Sequence, residues 1–176
     1  MTIVLRELPT SDIERIRDID RSERIDQQYR VRDGHLEIID VDIDAPRWGT
    51  PRSEHPVEHY IDEWRPVLDD GVLFGAMEGD RLVGFVLYRP RIADGLANLA
   101  VLHVSREHRR SGLGRRLTDE VVQRARADGA RRLYVSATPT RGTVDFYLRQ
   151  GFAVAAMPDP HMFELEPEDI HLVMTL

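Results

Sequence analysis

The segment Arg109-Arg110-Ser111-Gly112-Leu113-Gly114 sets two glycines among arginines, a composition suited to holding an anion. Glycine lets backbone N–H groups approach phosphate oxygens without a Cβ in the way. The unpaired N–H groups and positive dipole end of a following helix favour negative charge there. Arg109, Arg110 and Arg115 add charge around such an anion, although a plain tight turn with solvated arginines uses the same residues. Other phosphate loops fit less well. Leu117 stands where a dinucleotide fingerprint has its third glycine, and a chain without lysine has no Gly-Lys-Ser/Thr loop.

A second constellation is His55-Pro56-Val57-Glu58-His59, the His-x-x-Glu-His spacing by which one class of zinc protease binds metal through two histidines and activates water with the glutamate. That geometry needs both histidines inside one helix. Pro56 is best tolerated at the first helical position, which makes His55 a cap rather than a ring aligned above His59. No third ligand can be named, and no metal is expected.

The elements that must position these groups follow from hydrophobic period and turn chemistry. Ile3 and Leu5 suggest a first strand, and Ser11-Asp12-Ile13-Glu14 has the spacing of a capping box opening a helix. Tyr29 to Arg32 alternates, Asp33-Gly34 reads as a two-residue turn, and Leu36, Ile38 and Val41 carry a return strand, with Ile39 off the alternation. A helix is expected from Pro56 to about Trp64. Apolar segments 72–78 and 82–88 are joined by Gly79-Asp80, and 96–104 is a third such strand. Leu113, Leu117, Val121 and Ala125 recur every four residues, so a helix follows the glycine loop and stops near Gly129. A strand at 132–136, a short helix through Val144, Tyr147 and Leu148 ending at Gly151, and late strands at Val154 and 170–174 complete an α/β fold. Its mixed sheet is antiparallel at first and parallel where strand, helix and strand alternate. With 176 residues and no internal repeat or linker, one domain spanning 1–176 is expected.

Composition limits the partners. A formal charge of −7 argues against nucleic acid, yet residues 106–132 carry nine arginines against four acids, a local +5 that suits an anion site. The chain has no cysteine, which rules out thiolate catalysis, and no apolar run approaches the roughly 20 residues of a bilayer helix. No membrane partner and a cytoplasmic location are expected.

From Leu102 to Gly114, the sequence Leu-His-Val-Ser-Arg-Glu-His-Arg-Arg-Ser-Gly-Leu-Gly resembles the acetyl-CoA motif of the GNAT N-acetyltransferase superfamily, Arg/Gln-x-x-Gly-x-Gly/Ala after a strand. A second element, Thr143-Val144-Asp145-Phe146-Tyr147-Leu148-Arg149-Gln150-Gly151-Phe152, is similar to the family's helix with a tyrosine and a closing Gly-Phe. The resemblance implies a GNAT-like acyl-CoA fold with an acetyl-CoA-binding core over 71–156, an acceptor side over 1–70 and a C-terminal strand region over 157–176. It implies that Leu102, His103 and Val104 pair through their backbone with the pantetheine arm, and that the Leu102 N–H stabilises the oxyanion. Cofactor contacts are further implied at Arg109, Arg110, Ser111, Gly112, Leu113, Gly114, Arg115 and Thr140, where relatives often have an asparagine. Tyr147 matches the general acid that protonates the departing thiolate. Relatives often carry a glutamate base where Asn98 stands, and asparagine cannot take a proton; His103, Glu58 and Glu63 are the other groups considered.

The expected activity is acetyl transfer from acetyl-CoA to a primary amine of a small molecule, with no metal and a possible homodimer. A non-catalytic acyl-CoA sensor is the alternative, and a zinc protease using His55, Glu58 and His59 is a remote one. Asp40, Asp42, Asp44, Glu54, Glu58 and Glu63, with Trp48, Tyr60 and Trp64, would suit a cationic amine if they faced inward. An acidic solvated surface over an ordinary aromatic core is the other reading of the same residues.

Overall fold

The computed structural model describes residues 2–53 and 55–176. Thirteen strands and α-helices occur in the order β1 (Ile3–Leu8), β2 (Glu23–Arg32), β3 (His35–Ala45), α1 (Val57–Trp64), β4 (Val72–Glu78), β5 (Arg81–Ala93), β6 (Leu96–Val104), α2 (Leu113–Ala127), β7 (Arg132–Ala137), α3 (Arg141–Arg149), β8 (Ala153–Val154), α4 (Pro160–Leu165) and β9 (Ile170–Thr175). Seven strands form one sheet in the order β1-β4-β5-β6-β7-β9-β8, and β2 with β3 forms a separate hairpin. Among the described residues only β6 and β7 pair in parallel, as the α2 crossover between them requires.

Alternation along the strands divides two cores across the sheet. On one face, Val83, Val86, Leu99, Leu133 and Val135 pack against Leu113, Leu117, Val121 and Ala125 of α2 and against Val144 and Tyr147 of α3. On the other, Leu73, Phe85 and Leu87 pack against Ile13 and Ile16 of a 3-10 helix and Val57 and Ile61 of α1. The four-residue apolar period of α2 is thus its buried stripe, and Gly129 ends the helix region at φ 78°. No helix among the described residues is long and apolar enough to cross a membrane.

Three local expectations are corrected. The capping box at Ser11 does not form: Pro9 is the N-cap of a 3-10 helix over Thr10–Asp18, with no side-chain cap. Pro56 is the N-cap of α1 rather than its first helical residue, so His55 lies before the helix. The His55 ring nevertheless stacks on His59, with centroids 4.1 Å apart, rather than turning away. Between the pairs Ile25↔Ile43 and Gln27↔Asp40, β3 carries one residue more than β2, a bulge that puts Ile43 on the face of Leu36 and Ile38; Ile39, before the bulge, stays in regular register opposite Gln28.

Candidate functional site

The strands β6 and β7 pair only through Leu96, Ala97 and Asn98, whose partners are Arg132, Leu133 and Tyr134. Beyond Asn98 they part, and the β7 side of β6 is left open. Opposite β5, the register passes from Tyr88↔Leu99 to Leu87↔Val101, which makes Ala100 an extra residue in β6 and bends the strand at the parting. Past the bulge, the Ser105 N–H donates to Val83 O at 2.9 Å. Hydrogen-bonded and non-hydrogen-bonded pairs alternate in an antiparallel ladder, so with His103 opposite Phe85 the bonded residues are Ser105 and His103. Leu102 and Val104 therefore direct their N–H and C=O groups away from β5, toward the opening.

The loop that follows β6 delivers unpaired donors to the same end of the sheet. A short 3-10 turn over Arg106–His108 leads to Arg110 at φ 60° and Gly112 at φ 84°. The first bond of α2 runs from the Arg116 N–H to Gly112 O at 3.1 Å. The N–H groups of Leu113, Gly114 and Arg115 thus have no helical acceptor, and no side chain caps them. That is a donor set fit for a pyrophosphate. A Cβ on Gly112 would meet nothing within 4 Å, whereas one on Gly114 would come within 3.3 Å of Phe146. Gly112 serves the turn, and Gly114 serves the close packing of α2 on α3.

The arginines of the loop divide by role. Arg109 donates to three carbonyl oxygens, Val104 at 3.1 Å, Arg21 at 2.9 Å and Ser22 at 3.4 Å, and pairs with Glu23 at 3.3 Å. It braces the end of β6 against the chain entering β2. Arg110 is exposed, and Arg115 reaches only Asp119 at 3.9 Å. Ser111 donates from Oγ to His108 O at 2.6 Å.

Across the opening, Thr140 caps α3, its Oγ1 accepting from the Thr143 N–H at 3.2 Å. The β2–β3 hairpin is fastened here: the Tyr29 N–H donates to Pro139 O at 2.7 Å and the Tyr29 hydroxyl to Asp145 Oδ1 at 2.9 Å. With Thr140, Arg141 and Gly142, β2 lines an open groove of 430 Å3. Tyr147, one turn further along α3, is buried with ring centroids 5.0 Å from Phe146 and 5.3 Å from Phe152. Burial alone drives its hydroxyl pKa well above the ordinary phenol value, so the group stays protonated.

On the opposite face, His103 stands among Trp48, Trp64 and Phe85 at centroid distances of 5.1, 5.7 and 5.7 Å. The residue is half-buried. Its pKa is pushed down to about 3 by desolvation first and by Arg21 and Arg109 second. The Arg21 guanidinium lies over Trp48 and Tyr60, 5.6 and 5.2 Å from the ring centroids. This aromatic group, Trp48 with Tyr60 and Trp64, forms a wall beside the end of β6.

Of the two readings of the acids, the solvated surface fits most of them. Asp42 pairs with Arg24, Asp44 with Arg52 and Glu58 with Arg17, all at the surface, and Asp40 accepts from Gln27. Glu54 lies outside the described residues. Glu63 is the exception in part: it lies 3.8 Å from His59 Nε2, and its charge also acts on Glu166 in the segment before β9. The His55 and His59 rings meet at a tilt of 36°, while Glu58 is turned to Arg17. Among the described residues no group of three metal-capable side chains is found.

Sequence reasoning missed a polar group behind Asn98. Asn98 is buried and donates from Nδ2 to Tyr134 O at 3.2 Å. Next to it, the Tyr134 hydroxyl lies 2.8 Å from His171 Nδ1, and His171 Nε2 lies 3.1 Å from Glu166 O. The available signal was a tyrosine, a serine and a histidine on two largely apolar strands.

The sheet, its parting and the uncapped helix define the acyl-CoA class of fold, and comparison places the chain within it. Residues 34–152 match the model of the acetyltransferase (GNAT) family, so the chain belongs to that family. The amino-acid acetyltransferase of Ralstonia nicotianae (strain ATCC BAA-1114 / GMI1000) is 32% identical over 126 residues, 72% of this chain and 25% of its own length. The chain thus spans about a quarter of that curated relative. Among solved structures, nourseothricin acetyltransferase matches with a TM-score of 0.73 at 21% identity, over 99% of both chains. PaiA N-acetyltransferase from Thermoplasma acidophilum, in complex with coenzyme A, matches with a TM-score of 0.63 at 18% identity over 100% of both. These likenesses establish the mixed α/β fold.

Proposed function

We propose that this chain is an acetyl-CoA-dependent N-acetyltransferase that moves an acetyl group to a primary amine, of a small molecule, by direct attack on the thioester. The observation that carries the reading is the parting of β6 and β7 after Asn98, set beside the unpaired N–H groups of Leu113, Gly114 and Arg115. Leu102, His103 and Val104 would line the pantetheine arm, with Leu102 and Val104 presenting backbone groups as a further strand does. The loop from Arg109 through Arg115 would hold the pyrophosphate, chiefly through its backbone, and Thr140 would flank it across the opening. Acetyl-CoA supplies the activated acyl group.

The chain's own groups then divide the work. The Leu102 N–H is a fixed donor for the charge that builds on the carbonyl oxygen during attack. Tyr147, held protonated by burial, gives its proton to the departing sulfur. The aromatic wall of Trp48, Tyr60 and Trp64, with Glu63 and Glu166 beyond it, favours a cationic amine of modest size. A cytoplasmic location and pairing of two copies through an edge strand belong to the same reading.

The burial of Asn98, which leaves no base at that position, supports a second reading, an acyl-CoA-binding module without turnover. A thiol-release assay with acetyl-CoA and a broad amine panel separates the two. Release that depends on the amine is expected; acetyl-CoA binding without release across the panel would favour the module.

A further inference from the structure

Before an ammonium can attack, it must lose a proton, and Asn98 is both unable to take it and closed off by its bond to Tyr134 O. Two residues beyond the last β6–β7 pair, the wall of the opening changes character. Leu133, Val135 and Ala137 pack into the α2–α3 core, so Tyr134 and Ser136 project from the other face, where the aromatic wall stands. His171 lies opposite Ser136 in the β7–β9 register and shares that face. Ser136 is half-buried while Tyr134 and His171 are buried, which makes the serine the most accessible of the three, and its hydroxyl also meets the Glu166 carboxyl.

The hydrogen bonds assign the tautomer of His171. Glu166 O, 3.1 Å from Nε2, can only accept, so Nε2 carries the hydrogen. Nδ1 is then the free base: the Tyr134 hydroxyl donates to it at 2.8 Å, and Ser136 Oγ lies 3.4 Å away. The Tyr134 oxygen in turn accepts from the Asp159 N–H at 3.1 Å, which fixes the tyrosine and so the ring.

We propose that His171, acting through the Ser136 hydroxyl, takes the proton of the acceptor ammonium. This rests on the transfer reading given above. Once the Tyr134 O–H turns from Nδ1 and frees its lone pair, the ammonium N–H passes its proton to Ser136 Oγ while the serine hydroxyl proton passes to Nδ1. The amine keeps the lone pair that attacks, the serine is restored, and the positive charge moves to the imidazolium. Protonated Nδ1 then donates to Tyr134 or Ser136, both of which can accept.

The groups around the ring suit a base that rests neutral and charges transiently. Asp159, the N-cap of α4, is the acid whose charge acts on it, and Glu166 meets it through its backbone carbonyl; Tyr134 faces it from β7 and Phe163 packs on it with centroids 5.5 Å apart. Glu63 of α1 acts on the Glu166 carboxyl, and Glu166 in turn on Asp169. Desolvation lowers the histidine pKa below its ordinary value, against the Glu166 carbonyl and Asp159, so the ring is unprotonated at neutral pH.

The test measures kcat/KM against pH with acetyl-CoA and an amine turned over by the parent, alongside His171→Gln and Ser136→Ala. Glutamine can keep both hydrogen bonds but cannot titrate, and the serine change leaves His171 and Tyr134 in place. Each variant is expected to lose about 100-fold in kcat at pH 7, the scale of a lost general base. The loss should shrink as pH nears the amine's own pKa, where it arrives neutral, with the KM for acetyl-CoA unchanged. Full activity in folded Ser136→Ala, or a loss equal at every pH in both variants, overturns the relay while leaving acetyl transfer intact. A parent that binds acetyl-CoA but releases thiol with no amine overturns both.

Discussion

Asn98 donates its side-chain N–H to Tyr134 O at 3.2 Å, and these same two residues form the last rung of the parallel ladder. The bond closes β6 onto β7 at the point where they part, which makes Asn98 a pin rather than a base. Asn98→Ala should cost about 1–3 kcal/mol, the penalty for leaving a buried carbonyl without its donor. Denaturant unfolding of parent and variant measures it, and a change under a few tenths of a kcal/mol would contradict the role of the pin.

Tyr147 packs as a core ring while its pKa owes nothing to a hydrogen bond or a charge. Tyr147→Phe keeps the ring contacts with Phe146 and Phe152 and removes only the hydroxyl. Stability should change by less than about 1 kcal/mol, since no partner is orphaned. Turnover should fall by about 100-fold or more with acetyl-CoA binding retained. Thermal unfolding, binding calorimetry and thiol release on the same preparation distinguish a catalytic hydroxyl from a packing one.

His103 makes stability depend on pH in a defined direction. Its unfolded pKa near 6.5 exceeds the folded value of about 3, so the unfolded chain binds more protons between them. Stability is therefore full above pH 6.5 and declines as pH falls toward 3. Asp169, pushed up to about 7 by burial first and by Glu166 second, works the other way, losing stability as pH rises from about 4 to 7. The informative quantity is the difference between proteins. Urea midpoints at pH 7 and pH 5 should drop further for the parent than for His103→Phe, which keeps an aromatic ring against Trp48 and Trp64 without a titrating group.

Arg109 reaches three carbonyls and Glu23, joining the end of β6 to residues some 85 positions earlier. Arg109→Ala should destabilise by about 2 kcal/mol, the scale of charged hydrogen bonds lost from a partly buried site. Because the loop it braces leads to Gly112, the KM for acetyl-CoA should rise as well. Arg115→Ala, at an exposed residue with only a 3.9 Å pairing, is the comparison and should leave stability within about 0.5 kcal/mol.

The fold was legible wherever one local signal decided an element. Strands β4 and β6 end where their apolar runs end, α2 follows its four-residue period, and the turns at Asp33-Gly34 and Gly79-Asp80 have the positive φ that glycine supplies. The loop before α2 was legible because glycine spacing and helix start lie within six residues. Features that depend on distant partners were not. The bonds of Arg109 to the carbonyls of Arg21 and Ser22 and its pairing with Glu23 could not be read from the loop itself. The acids of β3 read as a possible acceptor lining because nothing local reveals that Arg24 and Arg52 take Asp42 and Asp44. Ser11 had a capping-box spacing, but the chain enters its helix two residues earlier, at Pro9. His171 carries no spacing signal; only the β7–β9 register brings it to Tyr134 and Ser136.

The central claim is that the unpaired N–H groups at the start of α2 hold the pyrophosphate of acetyl-CoA, and calorimetric titration of acetyl-CoA into the parent and Gly112→Asp tests it most directly. Gly112 has φ 84°, a conformation aspartate tolerates better than most residues, and a Cβ there meets nothing within 4 Å. The variant should therefore fold, with a carboxylate placed where the phosphate charge belongs. The parent is expected to bind and the variant to lose about 100-fold or more in affinity, at least about 2.7 kcal/mol. Equal affinity in the two proteins, or a parent that does not bind acetyl-CoA, would contradict the assignment.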